Sequence, residues 1–129
     1  MPAQLCNPNP RRPLLGPVCK LVASMSNDVF ASWYDDKGKL TQERTFGQIW
    51  EAAGVIAYCL KERWGIQKGQ RVILCYDFGL HFFEAFFGCL RAGVTAVLVY
   101  PPGPPLKISL QKLAKVVEDC QPALILTDT

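Results

Sequence analysis

The chain lacks the residue patterns that most often mark a metal site or a nucleotide site. It has a single histidine, His81, and its six cysteines include no C-x-x-C pair, so these residues cannot complete a zinc site. It contains neither G-x-G-x-x-G nor G-x-x-x-x-G-K-[ST], the glycine-rich loops that cradle phosphates. From motifs alone we therefore assign no catalytic, cofactor-binding or metal-binding residue.

Acidic residues are missing from the first 27 positions, which carry five prolines together with Arg11, Arg12 and Lys20. These three cations account for the net charge of +3, because residues 28–129 hold 11 basic and 11 acidic groups. No basic stripe indicates a nucleic-acid-binding surface. We expect residues 1–27 to form a proline-rich, basic, extended arm, and an organelle-targeting segment is the alternative.

A long uninterrupted hydrophobic run is also absent. Glu84 and Arg91 interrupt the most apolar stretch, FFEAFFGCLRAGVTAVLVYPPGPP, and Gly93 ends its helical part. A membrane-spanning helix needs about 20 continuous apolar residues, so no transmembrane segment is predicted. Half of the residues are hydrophobic and 19% are charged, a composition typical of a globular domain.

The cysteines are spread along the chain rather than grouped. Four of them lie inside apolar segments: Cys59, Cys75, Cys89 and Cys120. We expect these to be reduced thiols of the core, which indicates a reducing compartment such as the cytoplasm.

The pattern of turn residues and apolar segments predicts a hairpin followed by alternating helices and strands. VFASWY and LTQERT flank the turn DDKGK, and Thr45 with Gln48 forms a capping box for TFGQIWEAAGVIAYCLKERWG. The apolar strands RVILCY, VTAVLVY and ALILTD then alternate with the helices LHFFEAFFGCLRAG and SLQKLAKVVEDC. The predicted fold class is α/β, a hairpin and then α-β-α-β-α-β around a mostly parallel sheet.

This pattern carries expectations about burial. We expect all three apolar strands and most of the circumference of the phenylalanine-rich helix to be buried. The last helix should turn four residues inward: Leu110, Leu113, Val117 and Cys120. Because a buried-type strand ends the printed chain, we expect residues 28–129 to be an incomplete domain that further polypeptide or another protein completes at the sheet edge.

The side chains that could act in catalysis or metal binding are better interpreted as structural residues. His81 has no evident Ser or Cys partner, so a structural or solvent-facing imidazole is favoured over a general base. Glu84 is favoured as a first-turn helix carboxylate rather than an acid of raised pKa. Asp35 and Asp36 are turn residues, and DFG at 77–79 is a turn that ends a strand.

The run LTQERTFGQIWEAAGVIAYCLKERWGIQKGQRVILCY resembles the opening of adenylate-forming enzymes, the acyl-CoA synthetase and luciferase superfamily. Gln70 stands where the motif G-x-x-x-G-D-x-V has its usual Asp. FFEAFFGCLRAGVTAVLVYPPGPP and LAKVVEDCQPALILTDT are similar to the fatty acyl-AMP ligase branch. The likeness covers residues 28–129, which it identifies as the first portion of the large N-terminal domain.

The resemblance implies an ATP- and Mg²⁺-dependent reaction in the full-length family member. A fatty acid would become an acyl-adenylate with release of pyrophosphate, and the acyl group would pass to a phosphopantetheine thiol on an acyl carrier protein or CoA. The family's phosphate loop, adenine motif, ribose-binding Asp and mobile-domain Lys do not occur in these 129 residues, so we expect this chain alone to be inactive. A truncated, non-catalytic relative that serves as a protein-binding or assembly module is the alternative.

One loop is a candidate for substrate contact. Tyr100, Pro101, Pro102 and Gly103 follow the second apolar strand. Open α/β sheets bind ligands outside the carboxyl ends of their parallel strands. These four residues would then line a pantetheine or acyl channel, and a rigid turn without a ligand is the alternative.

Overall fold

A computed structural model describes residues 14–128 of the chain. Within them the elements follow the predicted order, preceded by one additional helix. In chain order they are α1 (Leu15–Met25), β1 (Val29–Tyr34), β2 (Leu40–Thr45), α2 (Phe46–Tyr58) with a π-helical turn (Cys59–Arg63), β3 (Arg71–Cys75), α3 (Leu80–Ala92), β4 (Thr95–Val99), α4 (Leu106–Cys120) and β5 (Leu124–Thr127).

The hairpin of β1 and β2 is antiparallel and closes at the predicted turn. Oδ1 of Asp35 accepts the backbone N–H groups of Lys37 and Lys39, each at 2.9 Å. Gly38 has a φ of 75°, which a residue without a side chain adopts at little cost. The interpretation of Asp35 as a turn residue is therefore confirmed.

The predicted capping box begins α2. Thr45 Oγ1 accepts the Gln48 N–H at 3.2 Å, and Gln48 Oε1 accepts the Thr45 N–H at 2.9 Å. Two backbone donors that the first helical turn leaves unpaired are thus satisfied. The apolar face that follows is buried as its spacing predicts, through Ile49, Trp50, Ala53, Ala57 and Leu60.

The main sheet has the order β4-β3-β5, and β3 pairs in parallel with both neighbours. Val72, Ile73 and Leu74 of β3 are 0–1% exposed. The prediction of three buried strands holds for β3 alone, since Leu98 of β4 is 53% exposed and Ile125 of β5 is 44% exposed. Both are edge strands of a three-stranded sheet, so each has a neighbour on one side only.

Small residues, rather than phenylalanines, form the buried face of α3. Ala85, Gly88, Cys89 and Ala92 are buried where α3 packs against α2 and β3. The phenylalanines of α3, which we expected to be mostly buried, are half-buried. Several of them instead pack edge to face around Phe30 of β1, whose ring centroid lies 5.2–5.9 Å from those of Phe46, Phe83 and Phe87. These contacts attach the hairpin to the helices.

The helix α4 is less buried than predicted. No residue of α4 is fully buried, and Leu110 is 47% exposed, whereas Leu113, Val117 and Cys120 are half-buried. The expected inward position of Leu110 is therefore wrong. The sheet has only three strands, which leaves little apolar surface for α4 to cover.

The expectation of an extended arm over residues 1–27 is wrong for residues 15–25, which form α1. Pro17 lies in the first turn of this helix, where its missing N–H has no intrahelical acceptor to lose. The carbonyl of Ser26 then accepts the Gly47 N–H at 3.0 Å, joining the end of α1 to the start of α2. The remaining part of the predicted arm, residues 1–13, lies outside the described residues.

Candidate functional site

A groove lies where the chain leaves the carboxyl ends of β3 and β4. In the sheet order β4-β3-β5, the connection from β3 leads to its neighbour β4 at one edge. The connection from β4 then crosses β3 to reach β5 at the opposite edge. Because such crossovers are right-handed, α3 and α4 lie on opposite faces of the sheet. The segments that leave the carboxyl ends of β3 and β4 therefore pass to opposite faces of the sheet. Open α/β sheets bind ligands outside the carboxyl ends of their strands, and both segments lie at that end.

An apolar groove of about 180 Å³ occupies this position. It is open to solvent, since Tyr100 is 89% exposed and Phe78 is 66% exposed. The ring of Phe78 lies 5.4 Å from Trp33 of β1 and 6.2 Å from Phe82, so the hairpin supports one wall. We call this groove the crevice; its lining residues are Tyr76, Phe78, Phe82, Leu98, Val99 and Tyr100.

The proline-rich loop that follows β4 is held by α4. Ser109 Oγ donates to the Gly103 carbonyl oxygen at 2.6 Å, across the first turn of α4. Pro101, Pro102 and Gly103 are half-buried, whereas Tyr100 is exposed. The hydrogen bond fixes the path of the loop where it leaves the sheet.

The crevice contains only one of the four loop residues that the sequence singled out. Tyr100 lines it, whereas Pro101, Pro102 and Gly103 are not among its lining residues. Sequence reasoning missed Tyr76, Phe78 and Phe82, although the position of Phe78 just after the central strand was an available signal. The interpretation of residues 77–79 as a strand-ending turn is confirmed, since they separate β3 from α3.

Two carboxylates border the same end of the sheet. Asp77 follows β3, Asp128 follows β5, and both are exposed. Burial is the main cause that raises the pKa of the Tyr76 phenol, and the charge of Asp128 raises it further. The pKa of the Cys75 thiol is raised first by burial and then by Asp77 and Asp128. The border of the crevice is therefore negatively charged.

His81 lies in the first turn of α3 and interacts with Glu84. Glu84 lies beyond that turn, which contains no acidic residue, so the expectation of a first-turn carboxylate is wrong. His81 Nδ1 is 3.3 Å from Glu84 Oε2, and Arg44 Nε of β2 is 4.0 Å from Glu84 Oε1. The His81 side chain is 62% exposed, so the expectation of a solvent-facing imidazole is confirmed. The arrangement is a surface cluster of charges that joins the hairpin to α3.

Cysteines Cys75 and Cys89 are core thiols, as predicted, with exposed fractions of 7% and 0%. Burial raises the pKa of Cys89 to about 12, which keeps this thiol protonated and unreactive at neutral pH. Cys59 and Cys120 are half-buried and form no disulfide. A reducing compartment stays a prediction.

Arg91 is the one charged residue of α3's buried face. Its guanidinium carbon lies 4.4 Å from the centroid of the Trp50 ring, and Nη1 donates to the Trp50 carbonyl oxygen at 2.5 Å. The cation–π contact with the ring and the hydrogen bond to the carbonyl compensate the Arg91 guanidinium for the hydration that it loses on burial. Arg91 therefore contributes to helix packing rather than to the crevice.

Within residues 14–128, no group of three or more His, Cys, Asp or Glu side chains is arranged to hold a metal ion. Over the same span, no helix has both the length and the apolar character needed to cross a membrane.

The fold agrees with what comparison of the sequence shows. The profile of the family described as AMP-binding enzyme matches residues 23–129, which is most of the chain. The chain therefore belongs to the AMP-binding enzyme family.

Two relatives with different names are similar to the chain. The chain is 36% identical over 98 residues to the medium-chain-fatty-acid–[acyl-carrier-protein] ligase JamA of Moorena producens, covering 75% of this chain and 16% of the relative. It is also 36% identical over 92 residues to Disco-interacting protein 2 homolog B-A of Danio rerio, covering 70% of this chain and 6% of the relative.

Among solved structures, the fatty acid AMP ligase from Legionella pneumophila is similar, with a TM-score of 0.77 and 30% identity. The match covers 85% of this chain and 18% of the ligase. The chain thus spans less than a fifth of the length of each of these three proteins.

Proposed function

We propose that this chain is the N-terminal scaffold segment of an ATP-dependent fatty acyl-AMP ligase. The observation that carries the proposal is the likeness to the Legionella pneumophila fatty acid AMP ligase, which joins 30% identity to a TM-score of 0.77. The similarity to a fatty-acid ligase of Moorena producens supports the same branch. The reaction would convert a fatty acid and ATP to an acyl-adenylate and pyrophosphate.

The described residues do not fit ATP or its Mg²⁺ ion. The transition state of such a reaction concentrates negative charge on phosphate oxygens, which cations must offset. The crevice is lined by apolar and aromatic side chains, and Asp77 and Asp128 at its border would repel a polyphosphate. We therefore derive no chemical step from residues 14–128, and we expect no adenylation by this chain alone.

The crevice is better suited to a neutral, apolar part of a substrate. We include Tyr100, Pro101, Pro102 and Gly103 in a wall of the acyl or pantetheine channel, with Tyr100 as the side chain that reaches the groove. The support is the position of the loop at the carboxyl end of β4, together with the bond from Ser109 that holds it.

The open edges of the sheet require a cover. Leu98 on β4 and Ile125 on β5 are both substantially exposed, and so is Leu110 on α4. We propose that the remainder of a ligase polypeptide, or another protein, packs against these surfaces. An acyl carrier protein or CoA would be the acyl acceptor of the complete enzyme, in a reducing compartment such as the cytoplasm.

A second candidate is a non-catalytic protein-binding or assembly module. The observation that favours it is the 36% identity to Disco-interacting protein 2 homolog B-A, whose name describes an interaction rather than a reaction. The exposed apolar residues of β4, α4 and β5 would then contact a partner protein.

The two candidates differ in what the native messenger encodes after codon 129. A reading frame that continues into a Ser/Thr/Gly-rich phosphate loop supports the ligase, and its product should catalyse fatty-acid-dependent exchange of pyrophosphate into ATP. A natural stop codon at that point, with purification only as a complex, supports the binding module. Exchange activity by the 129-residue chain itself would contradict the assignment of scaffold.

A further inference from the structure

The three strands of the main sheet end at the same level. The last residue of β3 pairs in register with the last residues of both β4 and β5. The residues that follow are Tyr100 after β4, Tyr76 after β3 and Asp128 after β5, in the order of the sheet. Residues at one level of a parallel sheet share a face, and neighbouring strands lie about 4.8 Å apart. Tyr76 therefore stands between an aromatic residue and a carboxylate.

The negative charge at this level reaches the crevice. After burial, the charge of Asp128 is the largest cause that raises the pKa of the Tyr76 phenol, and Tyr76 lines the crevice. Asp77 lies between two lining residues, Tyr76 and Phe78. Within residues 14–128 neither aspartate forms an ion pair, and none of the six lining residues is basic. Both carboxylates are thus available to a cation from outside the chain.

The aromatic rings of the crevice are both held in place and open to solvent. Phe78 contacts three neighbouring rings, with centroid distances of 5.4 Å to Trp33, 6.2 Å to Phe82 and 5.8 Å to Phe83. Most of the surface of Phe78 remains exposed, and so does that of Tyr100. The face of an aromatic ring attracts a cation that lies within about 6 Å of the ring centroid. A cation can use these rings without any rearrangement of the core.

The size and polarity of the crevice restrict the kind of ligand. Its volume of about 180 Å³ is smaller than the roughly 300–1,000 Å³ of sites for drug-sized ligands, so the ligand is a small molecule rather than a polypeptide. An ammonium group with N–H donors would leave donors unpaired against apolar side chains, which costs free energy. A quaternary ammonium group has no N–H donor and presents its charge on methyl groups, which suits an aromatic groove.

We propose that the crevice binds a small quaternary ammonium compound that carries an apolar substituent. The ammonium group lies against the rings of Tyr76 and Tyr100, beside the two carboxylates of Asp77 and Asp128. The apolar substituent packs on Leu98 and Phe82, which also line the groove. Charge, ring faces and apolar contact all contribute to recognition.

This site goes beyond the proposed ligase function. A neutral acyl or pantetheine group would use only the apolar contacts of the crevice, whereas the quaternary ammonium compound also uses the carboxylates and the ring faces. The two occupants would therefore compete for the same groove. Binding is measured without ATP, fatty acid or turnover, so the site holds or fails independently of the ligase assignment.

A matched pair of probes tests the requirement for charge. Meta-hydroxyphenyltrimethylammonium carries the cation, and meta-tert-butylphenol has a carbon in place of the nitrogen, which makes it neutral at nearly the same shape. Titration of the isotope-labelled 129-residue chain, followed by the NMR shifts of its backbone amides, gives both dissociation constants. We expect the cation to bind about tenfold more tightly. Equal affinities, or tighter binding of the neutral phenol, would overturn the proposal.

The same titration locates the site. The amides of residues 76–78, 98–100 and 128 should shift together, with a single dissociation constant. The amides of the hairpin turn, residues 35–38, should not shift. Shifts centred on another part of the chain, or no shifts at all, would refute a cation site at the crevice.

Variants of two exposed tyrosines test the role of the ring face. Tyr100→Leu keeps an apolar side chain but removes the aromatic face, so it should weaken binding of the cation by about fivefold and change binding of the neutral phenol little. Tyr58→Leu replaces a tyrosine of α2 that is 65% exposed and does not line the crevice, and it should change neither affinity. Equal effects of the two variants on the cation would contradict the proposal.

The carboxylates have their own pair of variants. Asp77→Asn combined with Asp128→Asn should weaken binding of the cation and leave binding of the neutral phenol unchanged, and Asp36→Asn in the hairpin turn should affect neither. Added salt should weaken binding of the cation more in the native chain than in the double variant, because exposed charges are screened. Binding of the cation that responds neither to salt nor to the double variant would show that the carboxylates do not attract it.

Discussion

A Cβ atom added at Gly88 would lie 2.6 Å from Cγ2 of Ile56, closer than side chains approach one another in folded proteins. The same atom would lie 3.2 Å from the Ala53 carbonyl oxygen. The helices α2 and α3 thus approach each other at a point where only glycine fits. This contact sets the position of α3, whose Phe82 lines the crevice.

Gly88→Ala should therefore destabilise the chain despite the higher helix propensity of alanine. Overpacking of a close contact costs about 1–3 kcal/mol, which exceeds the gain of up to about 1 kcal/mol from replacing a helical glycine. The matched control is Gly16→Ala in α1, where a Cβ would meet nothing within 4 Å and should be neutral or stabilising. Urea denaturation followed by tryptophan fluorescence measures both, and equal midpoints would refute the close contact.

Thr45→Ala should lower the free energy of unfolding by about 1 kcal/mol, because the capping box of α2 loses its acceptor for the Gln48 N–H. Thr45→Ser keeps the hydroxyl and should remain close to the native stability. Chemical denaturation of the two variants separates the cap from the rest of the side chain. A serine variant as unstable as the alanine variant would show that the threonine methyl group, rather than the cap, is what matters.

The stability of the chain should fall as the pH rises through the alkaline range. The pKa of Cys89 is raised from 9.0 to about 12 by burial, so between these values the unfolded chain releases a proton that the folded chain retains. The free energy of unfolding then decreases with pH, by up to about 1.4 kcal/mol per pH unit for this thiol. Denaturation of Cys89→Ala at several pH values should give a shallower slope, and identical slopes would contradict the prediction.

Ser109→Ala should loosen the loop of residues 100–105 without unfolding the domain. The change removes the hydrogen bond from the Ser109 hydroxyl to the Gly103 carbonyl, worth about 1 kcal/mol. Amide hydrogen exchange should become faster between residues 100 and 109 and stay unchanged in β3. Ser24→Ala removes a comparable hydroxyl bond, to the Leu21 carbonyl on the surface of α1, and should leave the loop unaffected.

Local features of the chain were predictable because neighbours in sequence supply both partners. Thr45 and Gln48 lie three residues apart and complete the capping box by themselves. Asp35 and Gly38 close the hairpin within a single turn. The helix α1 was not predicted because prolines in general disfavour helices. Pro17, however, falls in a first turn, where a proline is tolerated.

The crevice shows the opposite case. Tyr76, Phe82 and Tyr100 come from three different segments, and nothing in their spacing indicates that they line one groove. Whether Phe78 faces a core or solvent depends on where the hairpin packs. The contact between Trp33 and Phe78, 45 positions apart in sequence, fixes that packing.

The sequence by itself determined the alternation of helices and strands, the hairpin, the capping box and the kinship with adenylate-forming enzymes, because periodicity, turn residues and motifs are local properties. The tertiary structure alone decided that β3 is central while β4 and β5 are edges, and that the crevice lies at the carboxyl ends of β3 and β4. The physical reason is that the exposure of a strand depends on which strands become its neighbours. An apolar strand has the same sequence pattern at the centre of a sheet as at its edge.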